Sequence, residues 1–183
     1  MNAATDSTPV LASEPAEEAE PPERFHAVLI EESGDWSAFP ARESLIARIA
    51  AVIATYPPCA RLRGREANVV LADDTLVRSL NRAYRGKDAA TNVLSFPFAP
   101  LPSSEEIGPL GDVILAHETV VKEAAEQGIP SAHHFQHLVV HGLLHLIGFD
   151  HETDAEAAAM EQLETRILAE LGVPDPYASM QSD

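Results

Sequence analysis

Three histidines in the last third of the chain, His141, His145 and His151, have the types and the spacing of a metal site. On a helix with about 3.6 residues per turn, His141 and His145 stand one turn apart on one face, where two imidazoles can reach one ion. A third ligand at i+8 would lie about 12 Å up a straight helix, out of reach. Gly148 stands midway between His145 and His151. Glycine accepts the positive φ that turns a chain back on itself. The expectation is a helix carrying two ligands, a turn, and a third ligand that closes the site on one zinc ion. Three neutral nitrogens leave one tetrahedral position open, the mark of a catalytic rather than a structural zinc, although imidazole donors suit other divalent ions as well. Asp150, Glu152 and Asp154 flank the third histidine. They are either acceptors for imidazole N–H groups or the acids of a helix start. His134 and His137 share the helix face and are expected to be bystanders. The rival ligand set is His137, His141 and another residue.

The elements that must position these groups follow from periodicity and punctuation. Residues 26–31 (HAVLIE) and 66–72 (EANVVLA) read as strands, and residues 41–56 as a helix stopped by Pro57 and Pro58. Asp73 or Asp74 caps a helix that runs to about Arg85 and ends at Gly86. Residues 92–96 form a short strand before Pro97, a proline-bearing loop follows, and Gly111 to His117 form another strand. A helix from about Thr119 stops at Gly128. The helix of residues 132–147 is apolar on nearly every side and is therefore central and buried. Thr153 and Glu156 make a capping box for a last helix closed by Gly172 and Pro174. The whole reads as one α+β domain: roughly four strands, four to five helices, and a buried central helix that carries the metal ligands.

Composition bounds the possibilities. The chain has 183 residues, enough for one domain with a real core, and 45% of them are hydrophobic. No apolar run approaches the roughly 20 residues that span a bilayer, no secretory signal is visible, and Cys59 has no second cysteine to pair with. A cytoplasmic protein is expected. The formal net charge is −17, a poor starting point for binding nucleic acid. The charge is uneven, however. Residues 1–23 hold six acids and no base and read as a disordered acidic tail. Seven of the twelve Lys and Arg lie between Arg61 and Lys87, against three acids there. Residues 24–177 are then the functional domain, and 178–183 a flexible end.

The stretch from His141 to His151, HGLLHLIGFDH, also narrows the chemistry. Zinc peptidases with this histidine spacing use a glutamate after the first histidine as general base, and Gly142 stands there instead. The segment resembles the signature of the YbeY family of bacterial endoribonucleases, the rRNA maturation factors. The resemblance extends to NRAYRGKDAATNVLSFPF (Asn81 to Phe98), LGDVILA (Leu110 to Ala116) and GVPDPY (Gly172 to Tyr177), and so covers about Phe25 to Tyr177. It implies a zinc-dependent, single-strand-specific endoribonuclease in maturation of the small-subunit rRNA 3′ end and in ribosome quality control. Its partners would be single-stranded RNA, the rRNA precursor and small ribosomal subunit, and ribosomal proteins or an assembly GTPase, with no membrane. By position, the resemblance gives His141, His145 and His151 as ligands and Arg85 as the functional arginine.

The residues around Arg85 support that role on their own. Helical spacing puts Arg78, Arg82 and Arg85 on one face, with Leu76, Leu80 and Tyr84 toward the core. A guanidinium fork suits phosphate, and Lys87 extends the basic zone; the alternative is a solvated face paired with acids such as Asp73. Thr91, Asn92 and Ser95 either line the cleft or serve turn and strand chemistry. The competing function is a ribosome-assembly or RNA-binding factor with a mainly structural zinc, which the acidic charge favours.

Overall fold

Period-two alternation of apolar residues builds a mixed sheet whose two faces are both covered. The computed structural model describes residues 25–62, 64–98 and 109–178. The tail of residues 1–23, the Pro100 and Pro102 part of the loop and residues 179–183 lie outside the described residues. The strands are β1 (His26–Glu31), β2 (Glu66–Ala72), β3 (Val93–Pro97) and β4 (Pro109–Ala116). Their order is β1-β2-β4-β3, with β1, β2 and β4 parallel and β3 antiparallel on the edge. The helices are α1 (Arg42–Ile53), α2 (Asp74–Arg85), α3 (His117–Gln127), α4 (Ser131–Leu146) and α5 (Asp154–Leu171), with short 3-10 turns at Trp36–Ala38 and Pro57–Leu62. The α+β expectation is met. The pairing of strands, which the sequence left open, is now fixed.

Ala67, Val69, Leu71, Val113 and Leu115 point to one face, into the main core with α1, α4 and α5. Val70, Ala72, Leu94, Ile114 and Ala116 point to the other, where α2 lays Val77 against them. The helix ends carry the devices expected of them. Asp73 accepts from the Leu76 N–H and Gly86 closes α2 in the left-handed region; Thr153 and Glu156 form a reciprocal capping box on α5. Two helix starts are also tied together. Asp74 N–H donates to Glu118, and the Asp74 carboxylate accepts from Thr119 N–H and hydroxyl.

Two expectations are corrected. The helix of residues 41–56 is shorter: Ala41 is left-handed (φ 56°), the helix runs over Arg42–Ile53, and a turn leads into the prolines. On α2 the buried residues are Val77 and Asn81, flanked by half-buried Leu76 and Leu80, while Tyr84 is 72% exposed. Asn81 is buried because its side-chain amide donates to the Ala89 carbonyl and holds the following loop. Leu76 and Leu80 keep to the core as expected, while Tyr84, one turn further on, lies at the rim of the sheet against Phe96.

Helix α4 is central: it packs on β3, β4, α1, α3 and α5. It approaches the sheet at Gly142, where an added Cβ would stand 2.4 Å from Val113 Cγ1 and 3.2 Å from Ser95 Oγ. Val113 is fully buried and β-branched, so it has little room to yield. Gly142→Ala therefore trades a gain in helix propensity of about 1 kcal/mol for overpacking, and we expect a net loss of about 1–2 kcal/mol in a urea melt. An unchanged midpoint would show that Val113 rearranges.

Candidate metal centre

The last two turns of α4 and the loop beyond bring three imidazoles together. His141 and His145, one turn apart, have their Nε2 atoms 3.1 Å apart. Gly148 has φ 91°, and its N–H donates to the His145 carbonyl. The chain reverses there, as the spacing predicts. His151 then stands over both: its ring stacks with His141 at 5.7 Å between centroids and meets His145 edge-on at 5.0 Å. One nitrogen from each of the three lies within 4.8 Å of the others. Zinc–nitrogen bonds of about 2.0–2.1 Å in a tetrahedron need nitrogens roughly 3.3 Å apart. The His141–His145 pair is already at that spacing, and His151, exposed on its loop, has freedom to close the remainder.

Protonation favours the same use. Burial, with the neighbouring His141 and His151 next in weight, pushes the His145 pKa below its ordinary value, so its ring is neutral and offers a lone pair at neutral pH. His141 Nδ1 lies 2.8 Å from Glu164 Oε1. A carboxylate only accepts, so Nδ1 carries the proton and Nε2 presents its lone pair toward His145 and His151. The donor set fits a divalent ion that takes nitrogen ligands: three imidazoles, two of them with the tautomer or the charge state that coordination needs.

Glu164, on α5, is the residue that the sequence reading missed. It is fully buried and also meets His137 Nε2 at 3.2 Å and accepts from the Tyr177 hydroxyl in a short hydrogen bond. Burial would raise its pKa, but the hydrogen bonds from His137, His141 and Tyr177 outweigh that and hold it down at about 2. It is the eleventh residue of α5 and falls within the core-facing stripe of Met160, Leu163, Ile167, Leu168 and Leu171, so an acid at helical spacing among apolar residues was the signal that could have found it. His137, expected as a bystander, therefore touches the site through Glu164. Indeed His137, His141 and Glu164 form a second group close enough to hold an ion, the rival set in outline. The acids expected beside the third histidine go elsewhere: Asp150 accepts from the His151 backbone N–H, and Asp154 opens α5. His134 is truly apart. It is buried, bonded to Glu123 at 2.8 Å, and Asn92 donates to the same carboxylate oxygen.

Arg85 reaches the edge strand, with Nη2 3.5 Å from the Ser95 carbonyl, while Ser95 Oγ donates to the Gly142 carbonyl of α4. A single residue of β3 thus separates the arginine from the helix that bears the histidines. Arg78 is committed differently. It forms a two-point ion pair with Asp88 (2.8 and 3.1 Å), not with Asp73, whose side chain caps α2. Arg82 and Lys87 remain exposed and make no ion pair among the described residues.

Replacing Glu164 tests the support of His141. Glu164→Gln keeps the shape but loses the charge and one acceptor, and we expect zinc affinity, read by chelator competition, to fall about 10–100-fold. Glu164→Ala removes the acceptor shared by three half-buried donors and opens a cavity, and should lower stability by about 2–4 kcal/mol in a denaturant melt. Wild-type zinc affinity in Glu164→Gln would show that His141 needs no such support.

Comparison with known proteins shows the family. A family model described as endoribonuclease YbeY matches residues 36–172. A protein of Azorhizobium caulinodans named endoribonuclease YbeY is 53% identical over 152 residues, which cover 82% of this chain and 94% of that one. Another of that name, from Rhodopseudomonas palustris, is 49% identical over 146 residues, covering 78% of this chain and 84% of the relative. A solution structure from Thermotoga maritima shares the fold, with a TM-score of 0.51 at 21% identity, over 79% of this chain and 91% of that one. With about half of the aligned residues identical in two relatives, and a family match that runs from Trp36 past the histidines to Gly172, this chain belongs to the endoribonuclease YbeY family.

Proposed function

We propose that this protein is a metal-dependent endoribonuclease that cuts single-stranded RNA, with one zinc ion on His141, His145 and His151 and with Arg85 on the scissile phosphate. The observation that carries the reading is the convergence of three imidazole nitrogens beside an arginine that no acid neutralises among the described residues. A divalent ion on the histidines would supply a Lewis acid and lower the pKa of a nearby water toward neutrality. The remaining chemistry belongs to the chain. Glu164 holds the His141 tautomer. Arg85 offers its fork of N–H donors to the phosphoryl oxygens, where negative charge grows during the reaction. Ser95 of β3 meets Arg85 with its carbonyl and the histidine helix with its hydroxyl, and so sets the distance between the two.

Gly142 supplies no general base, and its contact with Val113 leaves no room for one. The attacking group is then a water or the 2′-hydroxyl of the RNA itself. Products ending in 2′,3′-cyclic phosphate would exclude direct attack by water.

The biological reading is maturation of the small-subunit rRNA 3′ end and quality control of ribosomes in the cytoplasm. The ribosomal subunit, ribosomal proteins or an assembly GTPase would be partners. No described helix is long and apolar enough to cross a membrane. The net charge of −17 supports a second reading, an assembly factor whose zinc is mainly structural.

Metal content and RNA cleavage, measured together, separate the two readings. For a nuclease, His145→Ala and His151→Ala lose zinc and single-strand cleavage while the circular-dichroism melt stays cooperative. Unfolding of His151→Ala on loss of metal would favour the structural role. Arg85→Glu should lower cleavage at least about 100-fold with zinc retained, the scale of losing one charge-stabilising donor. Normal turnover by Arg85→Glu would remove the arginine from the mechanism.

A further inference from the structure

Large apolar side chains are rarely left out of a fold that has room for them. Among the described residues only Val28, Tyr84 and Phe98 are large, apolar and exposed. Two of these three belong to one region. Tyr84 is 72% exposed on the last turn of α2, and its ring meets Phe96 of β3 edge-on, with centroids 5.1 Å apart. Phe98, 47% exposed, follows Phe96 by two residues just past the end of the same edge strand, on the side that period-two alternation gives to Phe96. The Phe96 contact holds the Tyr84 ring while most of its surface stays open.

The residues beside Tyr84 in the chain are cations. Arg85 is the next residue, Arg82 lies half a turn earlier and Lys87 follows shortly after, all exposed in a chain whose formal charge is −17. A fixed, open aromatic surface next to a basic stretch of chain matches one ligand chemistry closely: an unpaired nucleobase that stacks on the ring while the flanking phosphates meet arginine and lysine. A duplex keeps its bases stacked on one another and offers no free face. The location suits the same strand of RNA. Ser95, between Leu94 and Phe96, touches Arg85 with its carbonyl and α4 with its hydroxyl, so the edge strand β3 alone lies between the aromatic pair on the α2 face and the histidine helix on the other, and an RNA strand that wraps this edge meets both.

We propose that Tyr84, backed by Phe96 and flanked by Arg82, Arg85 and Lys87, is a stacking platform for an unpaired base of the RNA. It is the residue that sets preference for single strands over duplexes. This inference rests on the RNA-cleaving reading above.

The test uses the whole chain loaded with zinc, single-stranded oligoadenylate, and an RNA duplex of equal length. Tyr84→Ala should weaken binding of oligoadenylate about 10-fold, leave duplex binding, zinc content and the melting midpoint unchanged, and so erase the preference; Tyr84→Phe should restore it. Tyr84→Trp adds a fluorescent reporter to a chain whose one natural tryptophan, Trp36, is 2% exposed. Its emission should be quenched by oligoadenylate and not by the duplex. Undiminished binding and cleavage of oligoadenylate by Tyr84→Ala would overturn the platform and leave the nuclease intact. If the wild type neither binds nor cuts any RNA, the underlying reading fails and the platform with it. Dissociation of a dimer by Tyr84→Ala with unaltered RNA binding would make this surface a contact between copies, and would also overturn the proposal.

Discussion

Glu164 carries a negative charge with no exposed surface, a state that is stable only because three donors from two other parts of the chain converge on it. His137 and His141 come from α4, Tyr177 comes from the segment after α5, and the carboxylate itself lies on α5. Each of these segments is therefore fixed relative to the others by a charge that has nowhere else to go. The consequence for the site is direct. The same bonds that keep the carboxylate ionised hold a proton on His141 Nδ1, and so leave Nε2 free on the side of His145 and His151. The burial of one acid and the readiness of one histidine are a single arrangement.

The opposite wall is set by the close approach of α4 to the sheet. Gly142 lets the helix settle on Val113 and brings its carbonyl within reach of the Ser95 hydroxyl. Because Ser95 also receives Arg85 on its carbonyl, β3 acts as a spacer between a cation and a group of imidazoles. β3 is an edge strand, so this spacer faces solvent along one side, where an extended polymer can lie. The residue that in zinc peptidases of similar spacing would be a base is here a contact with the core. The difference between the two chemistries is also a difference in how the helix packs.

A good part of this was legible in the chain. Asp73, Gly86, Thr153 and Glu156 announce helix ends because capping is local: the donor and acceptor lie within a few residues, and the sequence shows both. The turn at Gly148 was legible for the same reason, and with it the return of His151 to its partners. The faces of α2 were not. Its spacing continues the stripe of Leu76 and Leu80 to Tyr84, but the sheet ends before that turn and Tyr84 is exposed, while the polar Asn81 turns inward to bond a carbonyl eight residues on. Likewise, nothing in the spacing of Arg78 shows that Asp88 claims it.

Most of the elements, several of their ends and the spacing that brings His141, His145 and His151 together were written in the sequence, because those depend on interactions spanning ten residues or fewer. Only the tertiary structure decided that Glu164 lies behind His141, that β3 is the edge shared by arginine and histidines, and that Tyr84 is left open. The first two join residues far apart along the chain, 23 positions for His141 and Glu164 and 47 for Ser95 and Gly142. Helical or strand periodicity carries no information over such distances. Packing carries it: the close approach allowed by Gly142 and a buried charge that must find its donors.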